Sequence, residues 1–183
     1  MILHIIQARL GSERLPRKTL MEIGGKSLLQ HHIERTLIRD THQVVIMPKQ
    51  DKEAMKGFPY FDKIDFESDL GDRDVLGAYY RAASKFNPEW VVRTTADCPF
   101  IDTRWFIQTI GMATIYGIPV FNCYKEGSTT EVFRFNDLKR AHEEAKDPQD
   151  REHVTRYFIH GFAKESIDSQ SDFDRERNKY EST

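Results

Sequence analysis

Residues 2–18 read Ile-Leu-His-Ile-Ile-Gln-Ala-Arg-Leu-Gly-Ser-Glu-Arg-Leu-Pro-Arg-Lys. The first seven residues form a short, nearly continuous apolar run, the pattern of a strand buried on both faces of a sheet. A Gly-Ser turn follows, set among four cations, Arg9, Arg14, Arg17 and Lys18. A buried strand that runs straight into a cationic turn is how an open α/β sheet presents a phosphate site, because ligands bind at the carboxyl ends of its strands. The spacing is neither GxGxxG nor GxxxxGK[ST], so it supports neither a dinucleotide fold nor a P-loop.

Further apolar runs stand at 44–47, 90–95 and 119–123, separated by segments of helical spacing. The alternation predicts a mostly parallel sheet flanked by helices, a Rossmann-like α/β fold, and 183 residues suit a single domain spanning 1–183. Ser27 with Gln30 forms a capping-box pattern and opens a first helix, with Leu28, Leu29, Ile33 and Leu37 on one face and an end near Asp40. A second helix is capped by Asp74 and buries Val75, Leu76, Tyr79, Tyr80, Ala83 and Phe86 before Asn87-Pro88 stops it. Asp102 caps a third, predicted to turn Trp105, Phe106, Ile107 and Ile110 inward, and a fourth follows Asn136. Ile167-Asp168 followed by Ser169 to Asp172 reads as a strand end entering a capped helix.

Composition limits the function classes. The chain is 39% hydrophobic and 31% charged with a formal charge of -2, and it has no apolar run of the roughly 20 residues a membrane span needs. No overall basic field or aromatic platform favours nucleic acid. Met1 leads directly into the first strand rather than a secretory signal, and Cys98 and Cys123 lack CxxC spacing, so a cytoplasmic protein with reduced thiols is expected. Any phosphate site must therefore be local.

Three places carry chemistry. Backbone amides at Gly11 and Ser12 could line an anion site, while Arg9, Arg14 and Lys18 neutralise a triphosphate. After the strand at 90–95, Asp97 stands before Pro99 and fits either a Mg²⁺ ligand or a turn-stabilising aspartate. Asp168 is a second candidate carboxylate, and two aspartates on neighbouring strand ends would suffice for Mg²⁺. His31 and His32 are adjacent on a helix and cannot share a metal; they read as surface or core residues.

These segments resemble the cytidylyltransferases, the family that includes CMP-KDO and CMP-sialic acid synthetases and the spore-coat polysaccharide cytidylyltransferase-like proteins. The likeness is carried by IIQARLGSERLPRKTL at 5–20, IGGKSLLQHHIER at 23–35, DVLGAYYRAA at 74–83, RTTADCPFID at 93–102, REHVT at 151–155 and SIDSQSDF at 166–173. It implies the nucleotide-diphospho-sugar transferase fold and transfer of CMP from CTP to an acidic or related sugar, for polysaccharide or glycan biosynthesis. Arg9 and Lys18 would grip the CTP phosphates, with Ala8, Ser12 and Arg14 completing the loop. Asp97 and Asp168 would hold Mg²⁺, while Glu131, Glu152 and His153 would lie toward the sugar. The family often pairs subunits, and residues 132–162 mix aromatic and charged residues that suit a homodimer face. One departure stands out: Thr129 occupies a place where close relatives carry an acid two residues before Glu131. The chain also looks trimmed after Met47 and between Ile118 and Glu131, which with Thr129 leaves open an unusual acceptor or a catalytically degenerate sugar-nucleotide-binding subunit, and because a phosphate loop reads charge and not the base, a different nucleotide such as UTP or GTP stays open too.

Overall fold

The fold follows from where the chain places its first strand. In a computed structural model that describes residues 1–12, 15–67, 74–122 and 129–158, β1 (Ile2–Gln7) lies between β4 (Thr41–Pro48) and β6 (Trp90–Thr95) and runs parallel to both. The six-stranded sheet has the order β5-β4-β1-β6-β8-β7, where β5 is Ile64–Glu67, β7 is Val120–Asn122 and β8 is Thr130–Arg134. β5 is parallel to β4, and β8 is antiparallel to both β6 and β7. A small ribbon of β2 (Glu22–Ile23) and β3 (Lys26–Ser27) is separate. From β1 the chain fills one side of the sheet through β4 and β5, then crosses back to β6 on the other side. The crevice between the ends of β1 and β6 is therefore the topological switch point, where an open α/β sheet binds its ligand.

Helices cover both faces. On one side, α1 (Leu28–Thr36) is capped by the Ser27 side chain, which accepts the Gln30 amide. It ends at Thr36, short of the expected Asp40, because Leu37 already takes an extended conformation (φ -77°, ψ 99°), and Asp40 then turns the chain into β4 with a left-handed φ of 67°. On the other side, α2 (Val75–Ser84) packs Leu76, Ala78, Tyr79, Ala82 and Ala83 fully into the core beneath α4 (Phe135–Glu144) and the short α5 (Pro148–Glu152). Its cap Asp74 accepts the Gly77 amide, and a Cβ at Gly77 would lie 2.0 Å from the Asp74 carboxylate, so a larger residue there would displace the capping side chain. α4 starts at Phe135 after Arg134, so Asn136, after which it was expected to begin, lies inside its first turn.

α3 (Thr103–Tyr116) is rotated relative to the expected face. Phe106, Thr109, Ile110 and Ala113 are buried at i, i+3, i+4 and i+7, whereas Ile107 is 48% exposed and Trp105 only partly covered. The helix spacing decides this: a stripe centred on Phe106 cannot also include Ile107, which lies about 100° round the helix. β5 and β8 were missed by the apolar-run reading, since IDFE is a short polar edge strand and TEVFR carries charge at Glu131 and Arg134.

Beneath α1, the buried faces of β1, β4 and β6 carry polar residues as well as apolar ones. His4, His32, Thr36, Gln43 and Thr94 are all at or below 5% exposure. Burial lowers the His32 imidazole to about 4, and burial first and its neighbour His32 second lower His4 well below the ordinary histidine range. Both rings are neutral near pH 7.

Two outcomes follow. Phe106→Ala should cost about 3–5 kcal/mol in urea unfolding and Ile107→Ala less than about 1, reversing the equality that the sequence pattern suggests. Both histidines bind protons more weakly folded than unfolded, so their contribution is present above the unfolded pKa of 6.5 and is lost as pH falls below it, for His32 down to about 4. The unfolding free energy from urea titrations should drop below pH 6.5 by up to about 1.4 kcal/mol per pH unit for each histidine.

Candidate active site

At the switch point the sheet ladder extends past the strand ends. The Ala8 amide donates to the Ile46 carbonyl at 3.0 Å and the Ala96 amide to the Gln7 carbonyl at 2.9 Å. These bonds set the segment after β1 alongside the segment after β6. Ala8, Leu10 and Ala96 then share one apolar cluster under the site. Asp51, 8% exposed, accepts the Leu10 amide at 2.9 Å and fixes the loop's path from below.

Above that floor the loop presents its charges. Arg9 is exposed, while its backbone carbonyl accepts the Thr19 hydroxyl at 3.3 Å. Arg17, at a left-handed φ of 58°, turns the chain into the short 3-10 helix Lys18–Leu20, and its amide returns to the Leu10 carbonyl at 2.8 Å. The loop is thereby cinched at its base, which carries Lys18 back across the crevice. Its ammonium donates to Asp97 Oδ2 at 2.7 Å, linking residues 79 apart in sequence. Two of the residues expected to act on phosphate and metal are brought into direct contact.

Burial works against ionisation of Asp97, but hydrogen bonds from Lys18 and Thr95 and the Lys18 charge outweigh it and hold the carboxyl below the usual range. It is thus an ionised, half-exposed carboxylate at the mouth of the crevice. Beside it the Cys98 thiol is pushed up by burial, with Thr95 and the Thr129 backbone opposing, so it is a protonated neighbour rather than a nucleophile.

Other expected residues are placed differently. The Ser12 amide donates to the Leu10 carbonyl at 2.9 Å and its hydroxyl accepts the Leu15 amide at 3.4 Å, so this amide is spent on the loop's own turn and does not face outward as expected. Gly11 is exposed, with open space where a Cβ would stand. Glu131 is 8% exposed and accepts from Arg93 Nη1 at 2.5 Å and the Thr155 hydroxyl at 3.0 Å, the role of a buried counter-ion. Glu152 and His153 are exposed on and just after α5, where their neighbour Arg151 pairs with Asp74 at 2.6 Å. Arg14 and Asp168 lie outside the described residues.

Arg93 is the residue that sequence reasoning passed over. Its guanidinium bonds Glu131 and Gln7 Oε1 and lies 5.7 Å from the centre of the fully buried Tyr79 ring. The signal was an arginine inside an apolar strand, where a charge persists only with partners.

The donor set fits a hard cation in one respect. Asp97 is an ionised oxygen ligand that already holds a cation, and Mg²⁺ needs only one or two protein carboxylates beside water and phosphate oxygens. Among the described residues, no three His, Cys, Asp or Glu side chains converge as a closed metal cage. Lys18→Ala should release Asp97 to a higher pKa, read as an upward shift of its carboxyl carbon titration in NMR; an unmoved titration would show that the pair does not persist in solution.

Comparison with known proteins agrees with this geometry. Residues 3–182 match the family described as Cytidylyltransferase. The chain is 30% identical over 164 residues to an uncharacterized protein of Methanocaldococcus jannaschii, covering 85% of this chain and 66% of that one. It is 28% identical over 172 residues to the spore coat polysaccharide biosynthesis protein SpsF of Bacillus subtilis, covering 85% and 69%. The chain thus spans about two thirds of the length of these relatives. A cytidylyltransferase structure from Leptospira borgpetersenii superposes with a TM-score of 0.74 at 25% identity, covering 85% of this chain and 69% of that one. With the cationic loop after β1 and the acid after β6 meeting at the sheet's switch point, and the family match running nearly end to end, the chain belongs to the cytidylyltransferase family.

Proposed function

We propose that this protein transfers CMP from CTP to a sugar, of the acidic class or a relative of it, and releases pyrophosphate. The observation that carries the reading is the Lys18–Asp97 contact, which joins the cationic loop and the acid across the crevice. In this reading the triphosphate lies along the loop, and Lys18 turns from Asp97 to the phosphate oxygens, with Arg9 and Arg14 adding charge. Asp97, together with Asp168, would hold Mg²⁺, which when bound offsets charge on phosphate oxygens.

The sugar oxygen attacks the α-phosphorus in line. An oxygen–phosphorus bond forms, the bond to the bridging oxygen breaks with its electron pair leaving on pyrophosphate, and the sugar proton passes to water. The chain contributes position and charge: Arg9 and Lys18 stabilise the oxygens on which negative charge grows. A membrane route is not called for, and among the described residues no helix is long and apolar enough to cross a bilayer.

Thr129, in the place where the family resemblance implies an acid, favours one second reading, a subunit that binds the sugar nucleotide without turnover. Pyrophosphate release separates the two. The protein is incubated with Mg²⁺, each of the four nucleoside triphosphates and a panel of acidic sugars and sugar phosphates. Release is expected with CTP and one acceptor, reduced about 10²- to 10³-fold in kcat by Lys18→Ala and at least as much by Asp97→Asn. CTP binding without release from any pair would favour the second reading, and release with UTP or GTP alone would reassign the nucleotide.

A further inference from the structure

A chain of buried neutral hydrogen bonds runs from β4 through β1 and β6 into the turn that carries Asp97. His32 Nδ1 lies 2.8 Å from the Cys98 carbonyl and its Nε2 lies 2.7 Å from Thr94 Oγ1. Thr94 Oγ1 is 2.8 Å from His4 Nε2, and His4 Nδ1 is 3.4 Å from Gln43 Nε2. Gln43 Nε2 also reaches the Ile33 carbonyl at 3.2 Å and Thr36 Oγ1 at 3.0 Å.

The direction of every proton in this chain is fixed by its ends. The Cys98 carbonyl only accepts, so His32 carries its proton on Nδ1 and offers a lone pair at Nε2. Thr94 must spend its single hydroxyl proton there, and so it accepts from His4 Nε2–H. His4 Nδ1 is then an acceptor, and it faces the Gln43 Nε2 donor. The far end agrees independently: the Ile33 carbonyl can face only the amide nitrogen of Gln43, never its oxygen. Both ends demand the same polarity, with the two protons of Gln43 Nε2 shared among His4 Nδ1, Thr36 Oγ1 and the Ile33 carbonyl, and with Gln43 Oε1 left buried without a partner.

The carbonyl at the end of the chain sits at the centre of the site turn. Cys98 N–H donates back to the Thr95 carbonyl at 3.2 Å, and the Cys98 carbonyl also accepts the Ile101 amide at 3.3 Å. These two bonds bracket the residue that follows Asp97. We infer that His32 is a positioning residue of the active site: its Nδ1–H pins the Cys98 carbonyl and thereby aims the Asp97 carboxylate into the crevice, with Thr94 and His4 locking its tautomer. The inference rests on Asp97 belonging to the site, but its geometry can be tested apart from any activity.

Long-range ¹⁵N–¹H NMR of the intact protein reads the tautomers directly. His32 is expected as Nδ1–H and His4 as Nε2–H; an Nε2–H tautomer at His32 would overturn the inference. The functional link is read with two substitutions of similar size and polarity. Asn at position 32 mimics the Nδ1 edge and keeps a donor for Cys98, while Gln mimics the Nε2 edge and loses it.

Iodoacetamide alkylation of Cys98, followed on its own peptide by mass spectrometry, then reports how often the turn opens. H32Q should label about fivefold faster than the parent protein and H32N within about twofold of it, the difference expected for one lost hydrogen bond to a buried carbonyl. Equal rates in the two variants would count against the positioning role. Thr94→Val should label faster than Thr94→Ser for the same reason, and this pair serves if either position 32 variant fails to unfold cooperatively. Absence of pyrophosphate release by the parent protein would sink the functional reading and leave these measurements unaffected.

Discussion

Everything at the site depends on β1 being hydrogen-bonded on both sides by parallel strands, β4 on one side and β6 on the other. β1 pairs residue for residue with β4 through Gln7–Ile46 and with β6 through Gln7–Thr95. Because all three run the same way, their carboxyl ends finish level, and the loops that follow must rise from one edge of the sheet. The ladder bonds at Ala8 and Ala96 carry that level one residue further. A cationic loop and an acidic turn are thereby held side by side by backbone geometry alone, before any side chain contributes.

β6 is stabilised at that edge by two unlike polar systems, one on each face. Thr94 points toward α1 and joins the neutral histidine chain, while Arg93 points toward α2 and joins Glu131, Gln7 and Tyr79. The period of two along a strand makes this division unavoidable for neighbouring residues. The charged side is costly to bury, and it persists because Arg93 pairs with Glu131 and Gln7, though its Nε stays buried without a partner, and Thr155 closes the remaining carboxylate oxygen of Glu131. Glu131 therefore anchors β8 and the segment after α5 to the site strand, a role that requires no contact with a sugar.

Much of this was legible in the sequence because the relevant signals are local. A buried strand running into Gly11-Ser12 among cations, and an aspartate after a second buried strand, locate the crevice through the general behaviour of parallel sheets. The caps at Ser27, Asp74 and Asp102 are equally local and appear where the pattern puts them. What the sequence could not carry is pairing at a distance. Nothing in the adjacency of His31 and His32 says that one bonds the Ile23 carbonyl near the surface and the other reaches Cys98 through the core. Nor does an apolar count distinguish Phe106 from Ile107 on α3, since the sheet surface that selects between them is assembled from β6, β8 and β1.

The neutrality of the histidine chain bears on the site as much as its geometry does. A cation at position 32 would stand one residue's reach from Asp97 and would compete with Lys18 and any bound cation for the same carboxylate. Burial removes that competition by lowering the imidazole to about 4, so the ring holds the turn as a dipole and adds no charge. The field at Asp97 is then set by groups at the mouth of the crevice, chiefly Lys18, which lies on a loop and has a flexible four-carbon stem. Support from a neutral buried network and charge from a partly exposed lysine are separate requirements, and the two sides of one turn meet them separately. Exchanging the two roles would fail on both counts: a buried lysine would lack solvation, and an exposed histidine would titrate through the working pH range.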